Sequence, residues 1–400
     1  MDDNWLKEAA TRYHASNRET LEWMLSREPL QGAYIDTKVN AISGQDYDSG
    51  SGFRSPDFTY GWMQGRGLEA LTTFARHYRK SDPVFATRLE DRARLLFEAL
   101  SRLHRRDGHN YFLYDKDLMP IIETNAASKP QVPAGDIYTY SDAFAAKGLF
   151  AASVMFAPER TEYYVAYLNK VISAIEDGRF QMDESRHLSK AVIAAEPDDF
   201  GPRMIVLAVA GLLHRHGSAY PTEFADRFID HIFERHFDGA TGLLFNVPGH
   251  DARDVGHSIE FCGFAFEHLA TRKDDPRVGH IISVLRRSLE IGLQGPGIAL
   301  SLSAKTGKVL SPQYAWWPMP EAVRACALGI RLTKDQSLFD LWQRADQVFF
   351  ENYWQKGKGY AFKTRTLRGP SDFVLGAPDL DPAYHTALSF LTATEAISNF

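Results

Sequence analysis

An all-α fold, a closed ring of six helical hairpins or (α/α)6 barrel, is what the sequence predicts, and three observations carry it. Six stretches repeat one design, in which glycine, proline or aromatic residues stand beside a polar group and a small, apolar run follows. Amphipathic stretches with a charged face alternate with them. The connections alternate too, short after each apolar stretch and long before the next.

The elements follow in order. "FTYGWMQGRGLEALTTFARHY" from Phe58 has little polar face, so it reads as a helix buried on most sides. "PVFATRLEDRARLLFEALSRLHR" after it carries a charged face and reads as an outer, half-solvated helix. The same pair recurs as "YTYSDAFAAKGLFAASVMF" from Tyr138 with "TEYYVAYLNKVISAIEDG", and as "GPRMIVLAVAGLLHRH" from Gly201 with "TEFADRFIDHIFERHF". It returns as "VGHSIEFCGFAFEHLA" from Val255 with "PRVGHIISVLRRSLEIGL", and as "PQYAWWPMPEAVRACALGI" from Pro312 with "SLFDLWQRADQVFFENYW". A sixth buried stretch, "PAYHTALSFLTATEAI" from Pro382, closes the chain. The repeat of roughly 55 to 75 residues exceeds the usual solenoid periods and suits a ring of hairpins.

Inner helices lead outward through short links such as "RKSDP", "APERT", "TRKDDP" and "LTKDQ". The segments leading into them run roughly 15 to 30 residues, and loops of that length in compact domains are more often functional than accidental. They carry hairpin-like stretches, "NYFLYDKDLMPI", "GLLFNVPGH" and "GYAFKTRTL". In a barrel all six gather at one mouth. Length alone leaves room for two or three domains, but the repetition makes residues 1–400 a single catalytic domain.

Composition excludes several classes. With 44% hydrophobic residues and a net charge of −6, the chain has material for a core and no basic stripe for nucleic acid. Its two cysteines, Cys262 and Cys326, lie in apolar runs, and "MDDNWLKEAATRYH" is acidic and amphipathic, unlike a secretory leader. A reducing, cytoplasmic setting is expected, away from membranes, since no apolar run reaches the roughly 20 residues needed to span one.

The polar groups that open the inner helices are Arg66, Asp142, His257, Glu260, Glu321 and His385, and these are expected to line the mouth. A lone histidine near a helix start is more often structural, and "WW" at 316 and 317 is more often core than a sugar platform. Recurrence changes the weighting. His257 and His385 hold equivalent places in two repeats, whereas His231 and His236 fall on a charged outer helix. His257 and Glu260, three apart, share one face of their helix.

"YGWMQGRGLEAL", "VGHSIEF", "YAWWPMPEAVRA" and "AYHTALSFL", in that order, resemble the signature regions of the N-acylglucosamine 2-epimerase superfamily, from about residue 15 to the end. That superfamily includes N-acylglucosamine 2-epimerases, cellobiose 2-epimerases and mannose or sulfoquinovose isomerases. The resemblance implies an (α/α)6 barrel, Arg66 as a sugar-binding arginine, and His257 with Glu260 as a catalytic histidine and its carboxylate. It further implies Trp317 and Glu321 as a stacking and binding pair, His385 as the second catalytic histidine, and a homodimer through outer helices. Phe261 stands where the family commonly has tryptophan, and Ile205 where several disaccharide epimerases and mannose isomerases carry a histidine. The aliphatic residue is nearer the N-acylglucosamine epimerases.

The residues suit proton transfer without a cofactor. Taking the C2 proton from an open-chain aldose leaves an enediolate, which needs a base poised near neutrality and a cation for O1. Histidine, ordinarily near pKa 6.5, suits the first task, and Arg66 suits the second. Reprotonation at C2 from the other face gives the 2-epimer, and delivery to C1 gives the ketose, so epimerase and aldose–ketose isomerase both stay open. A glycoside hydrolase with paired carboxylates among Asp136, Asp142, Glu260 and Glu321 is the competing class, but it leaves the two histidines without work. A metal on the "HSIE" pair needs ligands from neighbouring helices, and none stands at matching spacing in the sequence, so no metal is expected. Asp142 is carried as a sugar-binding candidate.

Overall fold

The computed structural model describes residues 2–124, 127–217 and 220–398. Its α-helices are α1 (Asp3–Ser26), α2 (Gly61–Tyr78), α3 (Pro83–Asp107), α4 (Tyr140–Phe156), α5 (Thr161–Glu176) and α6 (Lys190–Ala195). The second half adds α7 (Gly201–Arg215), α8 (Glu223–His236), α9 (Val255–His268), α10 (Arg277–Gly292), α11 (Pro318–Thr333), α12 (Ser337–Asn352) and α13 (Ser389–Ile397). The alternation read from the sequence is present. Every residue of α11 from Pro318 to Ile330 is buried, and so is every residue of α4 from Ser141 to Ser153. By contrast α8, α10 and α12 bury one face each. The chain divides into two compact units, Met1–Thr20 with Asp198–Leu375 and His385–Phe400, and Leu21–Pro197 with Gly376–Tyr384.

In the unit built on α2 to α6, α2 and α4 pack backbone to backbone, because the sequence supplies glycine where they meet. A Cβ on Gly65 would lie 2.5 Å from the Phe144 carbonyl carbon, and one on Gly148 would lie 2.5 Å from the Gly65 oxygen. The "QGRG" and "AKGL" glycines are therefore contact residues. Outer α3 has a complete set of end signals: Asp82 accepts from the Phe85 N–H, Pro83 opens the helix, and Gly108 closes it at φ 72°. Its apolar face, Phe85, Leu89, Leu96, Leu100 and Leu103 among others, is buried. The hairpin expected in "NYFLYDKDLMPI" forms from Leu113–Tyr114 and Pro120–Glu123, inside a four-stranded antiparallel sheet. The 376–384 segment is tied in by Asp379, which accepts from Lys38 Nζ at 3.1 Å in a buried ion pair.

In the unit built on α7 to α13, α9 packs between α7 and α11, and α11 also packs on α13. The first residues of α1 join it as a further amphipathic helix, one that the repeat pattern had not counted. Trp5 meets Phe339 and Trp342 edge-on, Trp342 Nε1 donates to the Tyr13 hydroxyl, and Arg12 pairs with Asp346 at 2.6 Å. Short strands directly precede the inner helices, as Ala252–Arg253 does α9 and Tyr314–Ala315 does α11. No helix among the described residues is long and apolar enough to cross a membrane.

Candidate active site

The start of α9 is set by Asp254, whose carboxylate accepts from the Gly256 and His257 N–H groups as the helix cap. That cap also faces the imidazole. His257 Nδ1 lies 3.7 Å from Asp254 Oδ2, and its side chain keeps 36% of its surface exposed while nearly all of α9 around it is buried. Burial works to lower the pKa of His257, but the carboxylates of Asp254, Asp199 and Glu260 outweigh it and hold the imidazole above the ordinary histidine value. One face of the ring stacks on Trp317 at 5.3 Å, with 29° between the planes. Gly256 permits that stacking, since a Cβ there would lie 2.8 Å from the indole and 2.9 Å from Pro318.

His385 comes from the π-helical turn Tyr384–Leu388 that leads into α13. It is buried, and its Nδ1 donates to Glu321 Oε1 at 2.9 Å, with Glu260 Oε1 at 3.8 Å. This fixes the proton on Nδ1 and leaves Nε2 as the basic nitrogen. Trp317 lies 5.7 Å from this ring too, and Trp316 meets it edge-on at 6.1 Å. Arg324, one turn after Glu321 on α11, pairs with the Glu321 carboxylate and lies over the Phe264 ring at 4.3 Å. Burial pushes the Glu260 carboxyl up, the Glu321 charge adds to that, and His385, His257 and Arg324 oppose it. Glu260, Glu321 and His385 offer donor atoms within 4.8 Å of one another, close enough to hold a cation. The Arg324 guanidinium already supplies positive charge to that cluster.

The structure thus brings together His257, Glu260, Trp317, Glu321 and His385. It changes one partnership. Glu260, expected to serve His257 one turn away, acts on it through its charge and not through a hydrogen bond, and its Oε1 also lies 3.8 Å from His385 Nδ1. The Asn246 side-chain amide donates to His257 Nδ1 at 3.5 Å, and the Asp254 carboxylate lies at 3.7 Å as a neighbouring charge. The ligand neighbours that spacing did not reveal for Glu260 come from α11 and the π-turn. Phe261 is fully buried and packs on Phe233.

Arg66 and Asp142 belong to the α2–α6 unit. The Arg66 guanidinium carbon lies 4.0 Å from the Phe144 ring centre, 5.2 Å from Trp62 and 5.4 Å from Tyr384, a half-buried cation among aromatic faces. Beside it Trp62 Nε1 donates to Glu184 at 2.5 Å, and burial pushes the Glu184 carboxyl up to about 7 against its hydrogen bonds. Asp142, the third residue of α4, closes a capping box with the N-cap residue Thr139. Its oxygens accept from the Asn110 and Thr139 N–H groups at 3.0 Å and from the Tyr167 hydroxyl at 2.5 Å, and His109 lies at 3.2 Å. Those contacts account for the carboxylate, so its surroundings give no support to a role in holding sugar.

No family model matches the sequence, and no curated protein matches it. Solved structures do. The cellobiose 2-epimerase of Bacillus thermoamylovorans B4167 superposes with a TM-score of 0.73 at 15% identity, over 96% of this chain and 98% of that one. A D-mannose isomerase superposes with a TM-score of 0.71 at 13% identity, over 96% of this chain and 97% of that one. The GH76 α-mannanase of Bacteroides thetaiotaomicron does so at 0.55 and 12%, over 96% of each chain. The chain has their fold. It is the (α/α)6 barrel that the alternation of helices led us to expect. A fold shared by an epimerase, an isomerase and a mannanase leaves the activity to be argued from the site.

Proposed function

We propose that the chain is a sugar 2-epimerase or aldose–ketose isomerase, a single catalytic domain that moves a proton at C2 of a ring-opened reducing sugar without a cofactor. The observation that carries this reading is the pair of imidazoles against one indole. His257 and His385 both lie within 6 Å of the Trp317 ring, each with its own carboxylate, Asp254 for one and Glu321 for the other. His385, held by the Glu321 carboxylate on Nδ1, presents Nε2 as a base or, once protonated, as an acid, and His257, whose Nδ1 meets the Asn246 side-chain amide at 3.5 Å with Asp254 close by, is the second proton carrier. One histidine takes the C2 proton to give the enediolate, and the other returns a proton. Return to C2 from the opposite face yields the epimer, and delivery to C1 yields the ketose. Glu321 holds the second imidazole by its Nδ1, Glu260 lies 3.8 Å from the same nitrogen, and Arg324 balances their charge.

The cellobiose 2-epimerase and D-mannose isomerase likenesses fit this reaction class. A hydrolase fits less well, because its two carboxyl groups must stand on either side of a glycosidic bond, whereas Glu260 and Glu321 converge on one imidazole. Among sugars, N-acylglucosamine is favoured by the aliphatic Ile205 on α7. The reading extends to a cytoplasmic homodimer acting on small sugars and binding no nucleic acid, and light scattering checks the dimer. An NMR time course in D2O with N-acetylglucosamine, N-acetylmannosamine, mannose, glucose and cellobiose tests the function. Deuterium at C2 with a 2-epimer or a ketose supports the reading, and no exchange with any reducing sugar, together with cleavage of an aryl glycoside, overturns it.

A further inference from the structure

A second group of donor atoms gathers where α8 ends, apart from the histidine pair. Asp198, His231 and His236 each offer one atom, and these lie within 4.8 Å of one another. The sequence pattern put both histidines on a charged outer face, yet His236 is fully buried. Its Nδ1 donates to the Phe245 carbonyl at 3.0 Å, which leaves Nε2 as a lone pair, and that atom has no hydrogen-bond partner among the described residues. The Nε2 of His231 is likewise buried without one, and the two rings stand 5.8 Å apart. A buried polar nitrogen left unsatisfied costs about 1–3 kcal/mol, so two adjacent ones call for an explanation.

The Arg203 charge faces both imidazoles and the Asp198 carboxylate opposes it. Arg235 also faces the group, its Nε donating to Asp198 Oδ2 at 2.6 Å. Neutral imidazole is the form that binds metal.

We propose that Asp198, His231 and His236 bind one first-row divalent cation of the zinc class, with water completing its shell. Two imidazole nitrogens and one carboxylate oxygen are a donor set that zinc accepts with an open position. The hydrogen bond from His236 to the Phe245 carbonyl is the outer-sphere support that orients a ligating histidine. Zinc–ligand bonds of about 2.0–2.1 Å draw donors to roughly 3.3 Å apart, so the group closes on the ion. The Asp198 side chain, 40% exposed, has the freedom for that movement. The ion would clamp residues 198–200 to the end of α8. Phe200 in that segment lies edge-on to His236 at 5.6 Å and to His257 at 6.5 Å, so the clamp stands one ring away from a candidate catalytic histidine.

The test is zinc binding to the metal-stripped full chain, and it is independent of any sugar activity. Isothermal titration with Zn2+ should give one saturable equivalent per chain, and Co2+ should give a visible d–d spectrum. Asp198→Asn and His231→Gln, both at side chains that are not fully buried and so compatible with folding, should each weaken binding by at least about tenfold to a hundredfold. His385→Asn should leave it unchanged. The proposal is overturned if Zn2+ does not saturate, if both site variants bind like the parent while retaining its far-UV dichroism, or if binding is lost in His385→Asn, which would move the ion to Glu260, Glu321 and His385.

Discussion

Glu321→Gln keeps the shape of α11 and removes one charge from the centre of the proposed machinery. In the parent, Glu321 accepts from His385 Nδ1 at 2.9 Å and pairs with Arg324, and both partners are buried. A hydrogen bond to a charged group contributes about 1.5–3 kcal/mol. Breaking a buried pair from one side costs about 3–5 kcal/mol, and Glu260, which also faces Arg324, offsets part of that. Glutamine can also donate to Nδ1, which would move the imidazole proton to Nε2 and disable the basic nitrogen. A positioned base contributes about 10²- to 10⁴-fold, so turnover should fall by about that factor while KM changes far less. Denaturant unfolding should show the variant less stable by a few kcal/mol. Steady-state kinetics on the sugar that exchanges in D2O provide the assay. A Glu321→Gln enzyme with kcat within threefold of the parent would show that the carboxylate does not set the state of His385.

Two further variants follow from named contacts. Asp254→Asn preserves a helix cap but removes the carboxylate that does most to raise His257, so the limb of the pH–rate profile governed by that imidazole should move to lower pH, and an unmoved limb would contradict it. Since the His257 value is raised in the folded chain, its contribution to stability is present below the ordinary histidine value and fades as the pH rises through the elevated one. The variant should therefore lose stability in acid and not in alkali. Arg66→Ala should lower turnover and weaken substrate handling with little loss of fold, and unaltered kinetics would remove Arg66 from the proposal.

What the sequence disclosed and what it hid divide along the distance between partners. Burial of α4 and α11 on all sides was legible, because neither stretch carries a continuous polar face. Asp142 was read as a mouth residue although Thr139-Tyr-Ser-Asp142 carries the spacing of a capping box, and the structure has both reciprocal hydrogen bonds of that motif. Asp254 was open to the same rule, since an aspartate just before an apolar helix caps it and so meets the residue three places on. Arg324 stands three after Glu321, within reach on one helix. The link from Glu260 and Glu321 to His385 is different, because it joins α9, α11 and the π-turn across the fold. No local spacing encodes it. The burial of His236 beneath a charged-looking face was hidden for the same reason, since the Phe245 carbonyl that holds it lies in the following hairpin.

The central claim is that two histidines divide the proton transfer at C2, and isotope exchange in two variants tests it most directly. His257→Asn and His385→Asn should each abolish net conversion, with losses of about 10²- to 10⁴-fold. Each should still exchange the C2 hydrogen of one sugar of the pair for deuterium, by abstraction and return on the same face. The two variants should do so from opposite sides of the reaction. Loss of exchange in both directions by both variants would mean that abstraction and return are not divided between them. Parent turnover in both would make the histidines structural and contradict the account.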